Sequence, residues 1–268
     1  MGSLVIRNLY ASYDGPTVVD GLDLEVPEGH VMALIGPNGA GKTTCLRTIA
    51  GRHVADAGVV IVDGVDRRVD EPEFRRRLVF VPDTPVLFDD LTLAEHLAFT
   101  AAVFDMNREF AERRADDLLE RFGLSHRADD LPTTFSRGMR QRSQLCCAFL
   151  RPFEVMLIDE PFVGLDPAGV RTLLDLIEER RVDGAAFVVA THSLSLVGDA
   201  VDDYGLFLDG EIHRHDELDT LFAEFDVDSA EDLFVAIAGQ HAAHLHDDSS
   251  DDSSDDSSDD EDDDEDDT

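Results

Sequence analysis

The chain has 268 residues, 43% of them hydrophobic, with 59 acidic residues against 22 basic ones and a formal net charge of −37 at pH 7. A surface this acidic repels phosphate backbones and argues against a nucleic-acid binder, and no apolar run approaches the ~20 residues that a membrane-crossing helix needs. The N-terminus lacks the apolar stretch of a secretory signal, and three cysteines, Cys45, Cys146 and Cys147, two of them adjacent, offer no disulfide framework and fit a reducing cytosol.

In chain order, Leu4–Leu9, Leu22–Val26 and Val31–Ile35 are apolar or alternating and predict strands, with turns at Asp14-Gly15 and Glu28-Gly29. Lys42–Ala50 predicts a helix, closed by Gly51 in the position of a C-cap. Val59–Val62 and Leu78–Val81 predict further strands. Between about 85 and 152 the spacing turns helical: Leu93, Leu97, Ala98 and Phe104 mark one helix, Phe110, Leu118, Leu119 and Phe122 a second, and a third starts near Arg137. This is the size of a small inserted subdomain. Strands return at Val155–Ile158 and Ala186–Ala190 on either side of a helix over Val170–Arg181, and Tyr204–Leu208 and Glu211–His215 predict a hairpin around Asp209-Gly210. Ser229-Ala230-Glu231-Asp232 predicts an N-terminal cap for a helix over Leu233–Ala238. Alternating strands and helices imply a largely parallel sheet covered on both faces. Residues 1–240 thus predict an α/β domain with a helical insertion, followed by a tail over 241–268.

Fifteen of the 22 residues in 247–268 are acidic and none is apolar, so this segment has nothing to bury and is expected to be disordered. Without those fifteen charges the first 246 residues still carry −22. Lys42 is the single lysine beside 21 arginines, and Asp outnumbers Glu by 41 to 18. Such a body repels itself in dilute buffer, whereas at ~1 M salt the Debye length falls to about 3 Å. The composition resembles that of proteins from extremely halophilic archaea. His241, His244 and His246 beside the tail read as a polar linker rather than a metal site. Arg75-Arg76-Arg77 reads as a solvated, acid-paired face, and Cys146-Cys147 as packing residues.

Gly36-Pro37-Asn38-Gly39-Ala40-Gly41-Lys42-Thr43-Thr44 matches G-x-x-x-x-G-K-[ST] between an apolar strand and a helix. Glycines let consecutive N–H groups point at phosphate oxygens, and the helix N-terminus adds positive potential. Lys42 reaches the terminal phosphates and the Thr43 hydroxyl is placed for Mg²⁺. Retention of lysine at this one position suggests a role that a planar guanidinium does not fill. Val155–Ile158 ends in Asp159-Glu160, which suits Asp159 to hold Mg²⁺ and Glu160 to orient and deprotonate water. His192 ends the parallel strand Phe187–Ala190 and is a candidate contact for the terminal phosphate.

This order of motifs resembles the ATP-binding subunits of ABC transporters over residues 3 to about 240. The resemblance implies a phosphate-loop (RecA-like) NTPase core with an antiparallel N-terminal β subdomain and an inserted α-helical subdomain. It implies that Tyr13 stacks on adenine. Phe135-Ser136-Arg137-Gly138-Met139 matches the signature segment, in which Ser136 and Gly138 contact the nucleotide of a second subunit. Arg137 and Met139 depart from the usual L-S-G-G-Q and resemble type-2 exporters, particularly Ecs-like ones. Gly164-Leu165-Asp166-Pro167 matches the loop that touches the partner, and Thr191-His192-Ser193 the histidine switch. Asp83 stands where the family usually has Gln; it is a third candidate Mg²⁺ ligand, and its charge bears on the timing of hydrolysis. The implied protein is an ATPase using ATP and Mg²⁺, paired with a second ATPase subunit and a separate membrane permease at the cytoplasmic face of the membrane, with export favoured. A soluble ABC ATPase and a weakly hydrolysing, nucleotide-gated subunit are the alternatives. The segment Asp83–Asp105 is the expected permease dock.

Overall fold

The computed structural model describes residues 3–227, apart from 14, 193–195, 197–199 and 216–217, together with 232–233, 235–236 and 239. The acidic tail, its neighbouring histidines, Ser193 and the expected cap over 229–231 therefore lie outside the described residues.

The chain runs β1 (Leu4–Ser12), β2 (Thr17–Val26), β3 (Val31–Ile35), α1 (Lys42–Ile49), β4 (Ala57–Val62), β5 (Val65–Asp66), α2 (Glu71–Arg77) and β6 (Leu78–Val81). Three helices follow, α3 (Leu93–Val103), α4 (Arg108–Arg121) and α5 (Arg137–Leu150). Then come β7 (Val155–Asp159), α6 (Pro167–Val182), β8 (Ala186–Ala190), β9 (Asp203–Leu208), β10 (Glu211–His215) and α7 (Leu218–Phe225). Two sheets result: an antiparallel one in the order β2-β1-β4-β5, and a six-stranded one in the order β10-β9-β3-β8-β7-β6. The latter is parallel except for β10. The expected hairpin closes it, with positive φ at both Asp209 and Gly210, the geometry of a type I′ turn.

The large sheet is buried on both faces. Val31, Ala33 and Ile35 of β3 face α5, α6 and the inserted helices, whereas Met32 and Leu34 face α1 and the antiparallel sheet. The same alternation splits β7 (Met156 and Ile158 against Val155 and Leu157) and β8 (Phe187 and Val189 against Val188 and Ala190). This double burial is why these strands read as continuous apolar runs. Each inserted helix starts on a side-chain cap: Thr92 with Glu95 in a capping box for α3, Asn107 for α4 and Ser136 for α5. Such caps are each worth about 1 kcal/mol.

Two differences from the sequence-based expectation have local causes. Helix α2 is seven residues of polar sequence capped by Asp70, too short for an apolar period. It carries the arginine triplet, which is paired as expected: Arg75 with Glu71, Arg76 with Asp105 and Arg77 with Glu73. In α4 the buried stripe is Ala111, Leu118 and Leu119, while Phe110 is half exposed.

Candidate active site

Strand register sets the site. Ala190 of β8 lies opposite Leu34 of β3 on one side and Asp159 of β7 on the other, and Val81 of β6 lies opposite Ile158. The four strands therefore end on one rim of the sheet. The strand ends and the segments that follow them carry Gly36–Thr44, Thr191-His192, Asp159-Glu160 and Asp83, which brings four groups of sequence candidates to this rim.

The phosphate loop is shaped by its glycines. Gly36 and Gly41 hold φ of 156° and 102°. A Cβ there would lie 2.3 Å from the Phe207 carbonyl oxygen and 2.5 Å from Val18 Cγ1, so neither position admits a side chain. Lys42, 7% exposed, opens α1. Its Nζ donates to the Gly36 carbonyl at 2.6 Å and the Pro37 carbonyl at 3.0 Å, so the loop curls around the ammonium. Burial lowers the Lys42 pKa, opposed by the charges of Glu160 and Asp159.

Thr43 Oγ1 donates to Asp159 Oδ2 at 2.7 Å. Burial raises the Asp159 pKa; the Thr43 hydrogen bond opposes this, while Asp83 and Glu160 add to it. A carboxyl raised in the folded state is costly when ionised, above its unfolded pKa, and a bound cation relieves that cost. A hydroxyl and a buried carboxylate within contact of each other are hard oxygen donors that fit Mg²⁺.

Glu160 follows in the left-handed region, φ 46°, unusual for a residue with a Cβ and a mark of a functional constraint. Its N–H donates to the Ala190 carbonyl at 2.8 Å, which pins it to β8. Its Oε2 lies 2.9 Å from His192 Nδ1 and accepts from Thr191 Oγ1 at 3.4 Å. The carboxylate and the histidine, 32 positions apart in sequence, thus meet side chain to side chain. Asp83 lies 3.8 Å from Arg47, which stands one turn beyond Thr43 on α1. Sequence reasoning missed Arg47, because the pair forms only once α1 has packed onto the large sheet.

Two other missed residues hold the segment after Asp83. Gln144 of α5, largely buried, donates to the Pro82 carbonyl at 3.0 Å and accepts from the Val86 N–H at 2.7 Å. His96 of α3 accepts from the Phe88 N–H at 2.9 Å through Nε2 and meets the Thr92 carbonyl at 2.8 Å through Nδ1. Tyr13, at the end of β1, is 57% exposed and stacks on His53.

The signature segment is built separately. Ser136 caps α5 by accepting from the Met139 N–H at 3.3 Å. A Cβ on Gly138 would lie 2.2 Å from the Gly164 carbonyl oxygen, so backbone meets backbone where α5 crosses the loop before α6. Asp166 caps α6 through the Gly169 N–H at 2.8 Å and reaches Arg142 at 3.4 Å. Among the described residues, no hydrogen bond or ion pair joins 136–139 to the phosphate loop. Gly138→Ala is expected to cost about 1–3 kcal/mol as the two backbones are forced apart, with nucleotide binding at the phosphate loop retained. A thermal melt beside a nucleotide titration checks this, and an unchanged melt would deny the steric role. The cysteines are free, and burial pushes the Cys45 and Cys147 thiols up to about 12 and Cys146 well above its usual value, in keeping with packing roles.

A loop wrapped on a lysine at the end of one parallel strand, facing Asp-Glu at the end of another, defines a phosphate-loop nucleoside triphosphatase. The sequence pattern of the ABC transporter family matches residues 19–163, and the chain belongs to this family as an ATP-binding, ATP-hydrolysing subunit. It is 32% identical over 246 residues to the ABC-type transporter ATP-binding protein EcsA of Bacillus subtilis (strain 168), covering 91% of this chain and 100% of that protein. It is 31% identical over 212 residues to the SkfA peptide export ATP-binding protein SkfE of the same organism, covering 79% and 88%. A solved structure of the ATP-binding subunit of an ABC transporter matches with a TM-score of 0.81 at 32% identity, covering 87% of this chain and 98% of that one. Among the described residues, no helix is long and apolar enough to cross a membrane.

Proposed function

We propose that this subunit powers export through a separate membrane permease, at the cytoplasmic face of the membrane, with ATP and Mg²⁺ bound at the rim described above. The observation that carries the reading is the contact of Glu160 with His192 beside the loop that holds Lys42. Thr43 and Asp159 hold the ion, with Asp83 as a third candidate ligand; bound there, it neutralises charge on the terminal phosphates. Residues 36–44 bind the phosphates, Lys42 by its ammonium and the others largely through backbone N–H groups. Glu160 takes the proton of the attacking water, and His192 holds the Glu160 carboxylate in place. Ser136, Arg137, Gly138 and Met139 face the nucleotide of a second ATPase subunit, and Asp166 lies at the subunit contact. That no hydrogen bond or ion pair among the described residues joins 136–139 to the chain's own phosphate loop supports that reading. Residues 1–240 form the catalytic body, with a helical subdomain over about 85–152, and 241–268 is an acidic extension. Export is favoured by the Arg137 and Met139 signature variant and by the likeness to SkfE.

The permease docks on the segment Asp83–Asp105. Val86 is 76% and Phe88 58% exposed, Leu87 is half-buried, and Phe88 packs edge-on against the exposed Phe99 of α3. Gln144 and His96 fix the backbone beneath this patch, which suits it to receive a rigid apolar helix. Cysteines placed at 86–90 are expected to crosslink to a co-purified permease. Crosslinks confined to other surfaces would reject the dock, and Mg²⁺-dependent phosphate release by a preparation that never co-purifies with a membrane protein would reject the transport role.

The acid-rich, lysine-poor body is that of a protein of a salt-rich cytoplasm. Folding and ATPase activity are expected to need high salt even after residues 247–268 are deleted, because the body keeps its −22. Ellipticity and phosphate release across a KCl series, for full-length and 1–246 protein, measure this. A truncated protein that folds and works in dilute buffer would show that the body charge does not set the requirement.

A further inference from the structure

We propose that His53 is a positioning residue for the nucleotide base: it backs one face of the Tyr13 ring so that the other face is presented, already oriented, to adenine. The proposal rests on the reading of Tyr13 as the base-stacking residue and adds to it a partner contributed by a different part of the chain.

Helix α1 begins in the phosphate loop and ends abruptly. Gly51 takes φ 67°, its N–H donates to the Thr48 carbonyl at 3.1 Å, and the Arg52 N–H donates to the Arg47 carbonyl at 2.7 Å. These two bonds are those of a Schellman turn. The His53 N–H also reaches the Arg47 carbonyl at 3.1 Å, and the Arg67 guanidinium donates to the Thr48 carbonyl from outside. The chain leaving α1 is therefore held by several bonds at the residue that matters.

His53 then crosses to the end of β1. Its Nε2 lies 2.9 Å from the Ser12 carbonyl, which accepts, so this nitrogen carries the ring proton. The imidazole stacks on Tyr13 with ring centroids 5.7 Å apart and planes 23° from parallel. Tyr13 is itself fixed at the backbone by its N–H on the Pro16 carbonyl at 3.0 Å. With an imidazole offset-stacked against one side of its ring, Tyr13 remains 57% exposed. A ring stacked on a hydrogen-bonded neighbour has fewer rotamers to lose when a flat base arrives, which is the condition for preorganised binding. The arrangement also ties the two ends of the ligand together, since the helix that carries Lys42 at its start places His53 just beyond its end.

The test compares ADP with inorganic pyrophosphate, which has no base, by titration calorimetry on the full-length protein. His53→Ala is expected to weaken ADP about three- to tenfold and leave pyrophosphate unchanged. His53→Phe, which keeps a stacking ring, should recover most of the loss, and His53→Ala should add nothing in a Tyr13→Ala background. Equal weakening of both ligands, or no weakening of ADP, would overturn the proposal. So would tighter ADP binding, which would mean that the imidazole occupies the face the base needs. If Tyr13→Ala leaves ADP untouched relative to pyrophosphate, the base-stacking reading itself fails. If Tyr13→Ala weakens ADP but His53→Ala does not, only the role of His53 is lost.

Discussion

Glu160→Gln is expected to lower ATP turnover by about 10²–10⁴-fold while ATP binding stays intact. The amide keeps the size of the carboxylate, and its oxygen still accepts from Thr191 Oγ1, so the rim should hold its shape. The backbone is fixed independently by the Glu160 N–H on Ala190 and by the left-handed φ. What is lost is the capacity to accept a proton from water, and with it the charge opposite His192. A subunit that binds ATP and cannot cleave it should also accumulate as a closed dimer. Phosphate release and size-exclusion chromatography with ATP, both at a salt concentration that keeps the protein folded, check the two halves. Unchanged turnover would remove Glu160 from the chemistry. Lost nucleotide binding would mean that the carboxylate is structural.

Lys42→Arg should be almost as damaging, and at a different step. The Lys42 ammonium sits against two loop carbonyls at 2.6 and 3.0 Å and is nearly sealed from solvent. A guanidinium is longer, planar and carries its donors in a rigid fork, so it cannot occupy that space without opening the loop. Loss of a charge-assisted hydrogen bond to phosphate corresponds to a drop in affinity of about 10- to 100-fold. Calorimetric titration with ATP measures it. Near-normal binding would show that any cation serves here. The lone lysine among 21 arginines would then need another explanation.

The sequence carried the large sheet well and the site unevenly. Val31–Ile35, Leu78–Val81 and Glu211–His215 were legible to the residue, the first two because strands buried on both faces are apolar throughout, the third because Asp209-Gly210 marks the turn before it. The phosphate loop was legible because its spacing, glycines and flanking strand and helix all lie within one short stretch. Residues that act across the fold were not. Arg47 meets Asp83, His53 meets Tyr13 and Gln144 meets Pro82 only after distant segments pack, and no local period encodes such pairs. Gly138 is a mixed case. Its place in the signature could be read, but its second duty, leaving room for the Gly164 carbonyl, depends on a contact 26 positions away. Phe110 shows the opposite failure, an apolar residue at helical spacing that the fold leaves half exposed.

The single lysine has a consequence for covalent chemistry. Neutral amines attack aldehydes, acyl phosphates and activated esters, and elsewhere on this molecule such reagents meet guanidinium groups in place of lysine side chains. The only side-chain amine is inside the phosphate loop, hydrogen-bonded to the Gly36 and Pro37 carbonyls. Burial favours its neutral, nucleophilic form, and the loop denies reagents an approach to it. Among side-chain amines, acylation or glycation has one target here, reached only when the loop opens, and to modify it is to inactivate the subunit. Bound nucleotide, by covering that nitrogen, would act as its protecting group.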